Sequence, residues 1–372
     1  MSKTILITGG AGFIGSHLAD QLLATGHRVR VLDTLEPQVH GEEGKRPGYL
    51  APDVELQVGD VRDATAVARA LDGVDAVYHF AARVGVGQSM YMIADYVSGN
   101  DLGTAVLLEA LKRNPVERLI VASSMSLYGE GLYLDADGRT IANATRDPAR
   151  LADGMWDPMD ARGRPLTPIP TTEEKQPDLV SVYALGKYVQ ERLCLVVGGA
   201  YGIPTVALRF FNVYGTRQAL SNPYTGVMAI FASRLLNNNP PLIFEDGGQR
   251  RDFVHVTDVA RACALALDAP NAAGQVLNIG SGQSYTVKEV ASHLATALGK
   301  THIAPETTMR ARTGDVRHCF ADITRARDVL GYRPQVGIEQ GMAELVEWLA
   351  GQTAVDRVEE ARRELATHGL TR

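Results

Sequence analysis

The chain has little cysteine, no long apolar run and no excess of basic charge. Cys194, Cys263 and Cys319 stand far apart and form no Cys-x-x-Cys pair, which argues against a disulfide framework or a cysteine-built zinc site. Each reads as a small buried apolar residue in a reducing, cytoplasmic setting, and no metal site is expected. No stretch approaches the roughly 18 apolar residues of a membrane span. The opening MSKTILITGG enters a strand and a turn at once, which leaves no space for a secretory signal. With 37 Lys and Arg against 43 Asp and Glu, the net charge is −6, the wrong sign for a broad nucleic-acid or membrane surface.

What is present is a soluble α/β pattern. KTILIT (3–8) is a short apolar β-branched run, Phe13 to about Thr25 has helical apolar spacing, and RVRVLD (28–33) alternates like a strand. The alternation continues through VELQVGD (54–60), a helical stretch at 63–72, DAVYHFAA (75–82), a long helix ending near 113, and RLIVASS (118–124). Strands alternating with helices predict a Rossmann-type, doubly wound parallel sheet covered on both faces.

GGAGFIG (9–15) lies between the first strand and the first helix. Gly9 and Gly12 permit the tight turn and close approach of a pyrophosphate, Gly15 permits close helix packing, and the phosphate lies on the helix N-terminus. Asp33 ends the second strand, where a carboxylate accepts from adenosine ribose hydroxyls and repels a 2′-phosphate, so NAD is expected rather than NADP. Asp60 ends the third strand and is a candidate for the adenine edge, or a helix-capping residue.

Of 13 tyrosines, only Tyr183 has a lysine four residues on, Lys187, in SVYALGKYVQERL (181–193). On a helix the two are neighbours. Tyrosine ionises near pH ~10 and is a poor base at neutral pH unless its anion is stabilised; a nearby ammonium supplies that stabilisation. Ser124 closes the buried run at 118–124, at the carboxyl edge of the sheet where ligands of this fold bind.

Taken together, GGAGFIG, Asp33, GDVRD (59–63), HFAA (79–82), ASSMSLYG (122–129), Tyr183 with Lys187, RFFNVYG (209–215), RDFVHVTDVA (251–260), LNIGSG (277–282) and TGD (313–315) resemble the extended short-chain dehydrogenase/reductase family, in particular its nucleotide-sugar epimerases and dehydratases. The resemblance implies a catalytic set of Ser124, Tyr183 and Lys187. It implies NAD contacts from Gly9, Gly12, Phe13, Ile14, Gly15, Asp33, Asp60, Val61, Phe80, Ala81, Ala82, Asn100, Ser123, Tyr183, Lys187, Phe210 and Val213. A smaller α/β lobe would bind the nucleotide sugar, with Asn212, Val227, Phe244, Arg251, Arg312 and Asp315 toward the nucleoside diphosphate and Arg83, Gln88, Ser89, Ser124 and Ser126 toward the hexose. Two arginines suit a diphosphate because guanidinium groups meet it bidentately.

Dehydratases of this family carry an Asp-Glu pair after the catalytic serine, and decarboxylases carry a Glu. Here Met125 and Ser126 follow Ser124, which removes the acid and base of a 4,6-elimination. The expected reaction is therefore 4-epimerisation of a UDP- or dTDP-hexose through a 4-keto intermediate, with a leaning to dTDP-6-deoxyhexoses of the rhamnose type. A 4,6-dehydratase, a 2-epimerase and a non-catalytic NAD-binding protein are the alternatives.

The expected organisation is a cofactor domain at 1–205 and 240–265, a nucleotide-sugar lobe at 206–239 and 266–350, and a peripheral C-terminal helix at 351–372. Residues 131–178 form a long insertion rich in Asp, Arg, Gly and Pro, with Trp156, that reads as a lid, a subunit contact or a tolerated loop. The resemblance implies a homodimer built on the helix at 100–113 and the Tyr183 helix.

Overall fold

The computed structural model describes residues 2–41, 43–224, 226–311 and 314–370. Its centre is a sheet whose inner strands are largely apolar: Ile5, Leu6 and Ile7 are fully buried, as are Leu119, Ile120 and Val121, which is what a strand covered on both faces requires. Seven strands compose it, β1 (Thr4–Thr8), β2 (Arg28–Asp33), β3 (Glu55–Val58), β4 (Ala76–His79), β5 (Arg118–Ser124), β6 (Thr205–Phe210) and β7 (Val276–Ile279). All pair in parallel, in the order β7-β6-β5-β4-β1-β2-β3. The chain winds outward from β1 to β3, then crosses to β4 and winds the other way. The crevice between β1 and β4 is therefore the topological switch point, where this architecture binds its ligand.

The longer α-helices are α1 (Phe13–Ala24), α2 (Ala64–Ala70), α3 (Gly103–Arg113), α4 (Val182–Tyr201), α5 (Val227–Leu236), α6 (Val256–Asp268), α7 (Val287–Ala297), α8 (Thr324–Leu330), α9 (Ile338–Leu349) and α10 (Val358–Thr367). Side chains of α1 and α6, together with Ala326 and Leu330 of α8, share one core with the sheet; α3 and α4 contribute to the core on its other face. Helices α5, α7 and α9 build the second lobe around Phe231, Leu294 and Leu345.

One boundary differs from the sequence-based expectation. Residues 276–279, assigned to the lobe, complete the main sheet as β7, and α8 packs beside it. The C-terminal helix buries only Ala361 and lies on residues 87–91 and 224 of the chain. The insertion is also ordered, with Leu132–Leu134 paired antiparallel to both Thr140–Ile141 and Thr167–Ile169. Among the described residues no helix is long and apolar enough to cross a membrane, and no group of three or more His, Cys, Asp or Glu side chains is arranged to hold a metal ion.

Candidate active site

The glycine loop leaves β1 and turns into α1 under tight constraints. Gly9 has φ +70°, and a Cβ there would meet the Ala81 backbone nitrogen at 2.8 Å; one on Gly15 would meet Gly10 Cα at 2.6 Å. Gly12 is the N-cap of α1 and offers no side-chain cap, which leaves the first-turn N–H groups for an anion. Asp33 at the end of β2 accepts from the Ala11 N–H at 3.0 Å and the Leu35 N–H at 2.9 Å. Each carboxylate oxygen retains further acceptor capacity, so Asp33 shapes the loop and can still meet a ribose.

Around this crevice lie the other expected cofactor residues. Phe80 meets Phe210 edge to face at 5.9 Å, and Ile14, Phe80 and Val213 pack against the same core. Phe13 is half-buried with its ring edge-on to His17, and Ala81 and Ala82 are half-buried at the exit of β4. Val61 is buried against Gly103 at the start of α3. Asn100 is fully buried and grips the Arg83 backbone, its Oδ1 accepting from the N–H at 2.7 Å and its Nδ2 donating to the carbonyl at 3.1 Å. The Asp60 carboxylate is held by the Arg62 guanidinium at 2.6 Å, which keeps it below the usual carboxylate range.

The catalytic candidates converge where β5 ends beside the start of α4. Ser181 caps α4 by accepting from the Ala184 N–H at 3.1 Å, and Ser89 Oγ accepts from the Tyr183 N–H at 3.0 Å. Two first-turn donors of the helix are thus satisfied. Ser126 Oγ donates to Ser124 Oγ at 2.9 Å, and Ser124 hydrogen-bonds the Tyr183 side chain. The Lys187 ammonium donates to Gln190 Oε1 at 2.9 Å. Gln190 Nε2 donates in turn to Thr104 Oγ1 at 2.9 Å, and Thr104 and Thr8 flank the two ring nitrogens of His79, each at 2.8 Å. Burial drops the His79 pKa to about 3, so this buried chain carries a neutral imidazole.

Burial governs the electrostatics of the pair. It brings Lys187 down to about 8 and pushes the Tyr183 phenol above its ordinary value. What opposes burial at the Tyr183 phenol in the structure is the Ser124 hydroxyl. The phenol is neutral at rest, and an added positive charge beside it favours the phenolate.

Several expected ligand contacts have other work. Ser123 is buried and donates to Glu191 Oε2 at 2.6 Å, so its hydroxyl serves the scaffold rather than the cofactor. Glu191 also takes a bidentate contact from Arg209, at 2.9 and 2.7 Å. Ser89 is fully buried beneath the Tyr183 N–H, and Gln88 pairs its amide with Gln38 at 3.3 and 3.4 Å. Arg83 reaches Glu36 at 3.2 Å, toward the exit of β2 and the cofactor end.

At the substrate end, Asn212 keeps its Oδ1 buried without a hydrogen-bond partner among the described residues. Arg251 donates to the carbonyls of Arg250, Val316 and Arg317. Val227 opens α5 against the lobe core, and Phe244 is half-buried with its carbonyl bound by Gln249 Nε2 at 2.8 Å. Asp315 accepts through its carbonyl from Arg146, a residue of the insertion. Arg146 also pairs with Glu130 at 3.1 Å and with the fully buried Glu245. Arg312 lies outside the described residues.

Sequence reading missed Gln190, Glu191, Thr104 and Arg146. For the first two a signal existed: they follow Lys187 by three and four residues, on its own helical face. Arg146 had none, because its partners are remote in sequence.

A profile of the NAD dependent epimerase/dehydratase family matches residues 5–151 and 157–280. The chain belongs to this family. The dTDP-L-rhamnose 4-epimerase of Burkholderia thailandensis is 36% identical over 356 residues, covering 94% of this chain and 95% of the relative. The Thermus thermophilus UDP-glucose 4-epimerase, solved in complex with NAD, has a TM-score of 0.75 at 32% identity and covers 94% of this chain and 100% of its own. The Bacillus cereus UDP-glucuronic acid 4-epimerase, solved with UDP-glucuronic acid and NAD, has a TM-score of 0.76 at 28% identity, with 93% and 99% covered. As a member of the epimerase/dehydratase family, the protein is an NAD-dependent enzyme of nucleotide sugars. Its residues fit that cofactor: a glycine cradle without room for a Cβ at Gly9, Gly10 or Gly15, an acidic residue ending β2, and a buried ammonium with one protein acceptor. Bound NAD supplies the hydride acceptor and the positive ring that favours the Tyr183 phenolate.

Proposed function

We propose that the protein inverts C4 of a dTDP- or UDP-linked hexose through a transient 4-keto sugar, with a dTDP-6-deoxyhexose such as dTDP-L-rhamnose as the preferred class. In this reading Tyr183 takes the proton of the C4 hydroxyl, Ser124 braces the developing ketone, and Lys187 holds positive charge beside the phenol. After the keto sugar turns in the pocket, Tyr183 returns the proton.

The observation that carries the reading is the pairing of an intact Ser124, Tyr183 and Lys187 with the absence of a carboxylate at positions 125 and 126. Met125 packs against the cluster of Tyr128, Phe211, Cys319 and Ala321, and Ser126 is engaged with Ser124. The leaning to a 6-deoxyhexose is supported by the 36% identity to a dTDP-L-rhamnose 4-epimerase.

A homodimer completes the proposal. Ile93, Val97 and Leu102, which lead into α3, and Leu185 and Val196 on α4 are exposed apolar side chains, the composition of a helix-to-helix subunit contact. Three free buried cysteines suit a cytoplasmic location.

The test is to incubate purified protein, without added cofactor, with dTDP- and UDP-hexoses in deuterated water and read the products by NMR and mass spectrometry. A C4-inverted sugar of unchanged mass supports the proposal and names the substrate. Loss of water with deuterium at C5 or C6 would replace it with a 4,6-dehydratase.

A further inference from the structure

Tyr183 is the second residue of α4, and its N–H has no acceptor within the helix. Ser89 supplies one at 3.0 Å, from 94 residues earlier in the chain, and donates its own proton to the Val86 carbonyl at 2.7 Å. The placement of the catalytic tyrosine thus depends on where residues 86–91 are held. Helix α10 does the holding. Leu365 covers Gly87, where an added Cβ would lie 3.1 Å from Leu365 Cδ2. The His368 ring stacks on Tyr91 at 4.6 Å and 5°. Tyr91 donates to Glu364 at 2.8 Å and meets the Tyr224 hydroxyl at 2.6 Å, and Tyr224 also donates to Glu364.

Those contacts join both halves of the molecule. Tyr224 belongs to the loop that enters α5 of the second lobe, and the chain leading into α10 is tied to that lobe: Asn237 Nδ2 donates to the Ala354 carbonyl at 2.8 Å, Ser221 Oγ accepts from the Val355 N–H at 3.0 Å, and Asn239 Nδ2 donates to Asp356 at 2.7 Å. Gln88 reaches Gln38, which donates to Asn222 at 3.0 Å, closing a second link between the lobes.

We propose that Glu364 is a positioning residue for the reaction: by gathering Tyr91 and Tyr224 under one carboxylate it clasps the two lobes, fixes residues 86–91, and through Ser89 sets the backbone of Tyr183. The inference rests on Tyr183 as the acid–base residue. Small displacements of a reacting group are costly, up to about 100-fold for 1 Å, so a residue remote from the sugar can govern turnover.

The experiment compares Glu364→Ala, Ser89→Ala, the double variant and Glu364→Gln in the full chain, reading kcat, KM and thermal stability, with Tyr183→Phe as control. Each single variant is expected to lower kcat roughly 10-fold with a smaller change in KM. The double variant should lose no more than Ser89→Ala alone, because both act along one path, and Glu364→Gln should recover most of the loss, since its amide oxygen still accepts from a phenol. If Glu364→Ala does not fold, Tyr91→Phe, which removes one hydroxyl, is read in its place. Unchanged kcat below the melting temperature, or losses that multiply independently in the double variant, overturns the clasp. Undiminished turnover in Tyr183→Phe overturns instead the function on which it rests.

Discussion

Gln190 holds Lys187: its side-chain carbonyl accepts from the ammonium at 2.9 Å while its amide nitrogen is fixed by Thr104. The lysine is therefore oriented by a buried polar chain reaching back to Thr8 of β1, and the acid–base centre is braced from the cofactor side of the sheet. Replacing Gln190 by Met removes the acceptor and leaves a buried ammonium unpaired. About a 10-fold loss of kcat/KM is expected, in line with the 1–3 kcal/mol cost of an unsatisfied buried group. Steady-state kinetics beside a cofactor-content assay would check it; wild-type kinetics would show that the contact is dispensable.

The pH profile follows from the ammonium. Burial brings Lys187 down to about 8 and raises the Tyr183 phenol, so the positive charge that favours the phenolate is lost as the pH rises through about 8. Turnover should fall above that point. In Lys187→Met the charge is absent at every pH, so turnover should be lower throughout and the fall near pH 8 should vanish. A fall that stays in place would remove Lys187 from the acid–base step.

Behind β5, Glu191 and Arg209 form a buried pair that also receives Ser123 and Tyr128. Glu191→Ala leaves the guanidinium buried without its counter-charge, which costs about 3–5 kcal/mol. Urea denaturation should register this as a fall in midpoint; an unchanged midpoint would mean that water reaches Arg209.

Arg146→Ala should free the insertion from the second lobe, because Glu130 and Glu245 then share one buried cation fewer. Limited proteolysis within residues 136–164 should accelerate, and KM for the nucleotide sugar should rise through the loss of support at Asp315. Unaltered cleavage would show that the short strands at 132–134 and 167–169 suffice to hold the insertion.

Replacing Asp33 by Ser removes the charge that opposes a 2′-phosphate and one acceptor of the glycine loop. The preference for NAD over NADP should narrow by about 10-fold or more, measured on the nucleotide released after unfolding. A preference that does not move would place discrimination elsewhere in the crevice.

The order of elements, the glycine loop and the i to i+4 placement of Tyr183 and Lys187 on α4 were legible because each rests on local spacing: alternation or a short apolar run for the strands, period 3.6 for the helices. The partners of Ser89 and Gln88, a backbone N–H of α4 and the amide of Gln38, were not legible because they are distant in sequence. Ser123 and Ser124 are neighbours of one chemical type; only the burial of Glu191 and Arg209 beside the first distinguishes them. The insertion defeated periodicity for a similar reason, since its small apolar cluster of Tyr133, Ile141, Ala144 and Leu166 is joined by charge pairs to Glu245 and Arg317, which are remote in sequence.

The strand β7 bears on any attempt to cut this protein into parts. It is drawn from residues 276–279, yet it covers the outer edge of β6, whose side chains from Thr205 to Phe210 are all buried. A fragment ending near residue 205 or 240 would carry the glycine loop, Ser124, Tyr183 and Lys187. Its sheet would nevertheless end in an open, apolar edge of unpaired N–H and C=O groups, which invites association between copies. Such a fragment should aggregate, whereas a circular permutant that keeps β7 beside β6 should not.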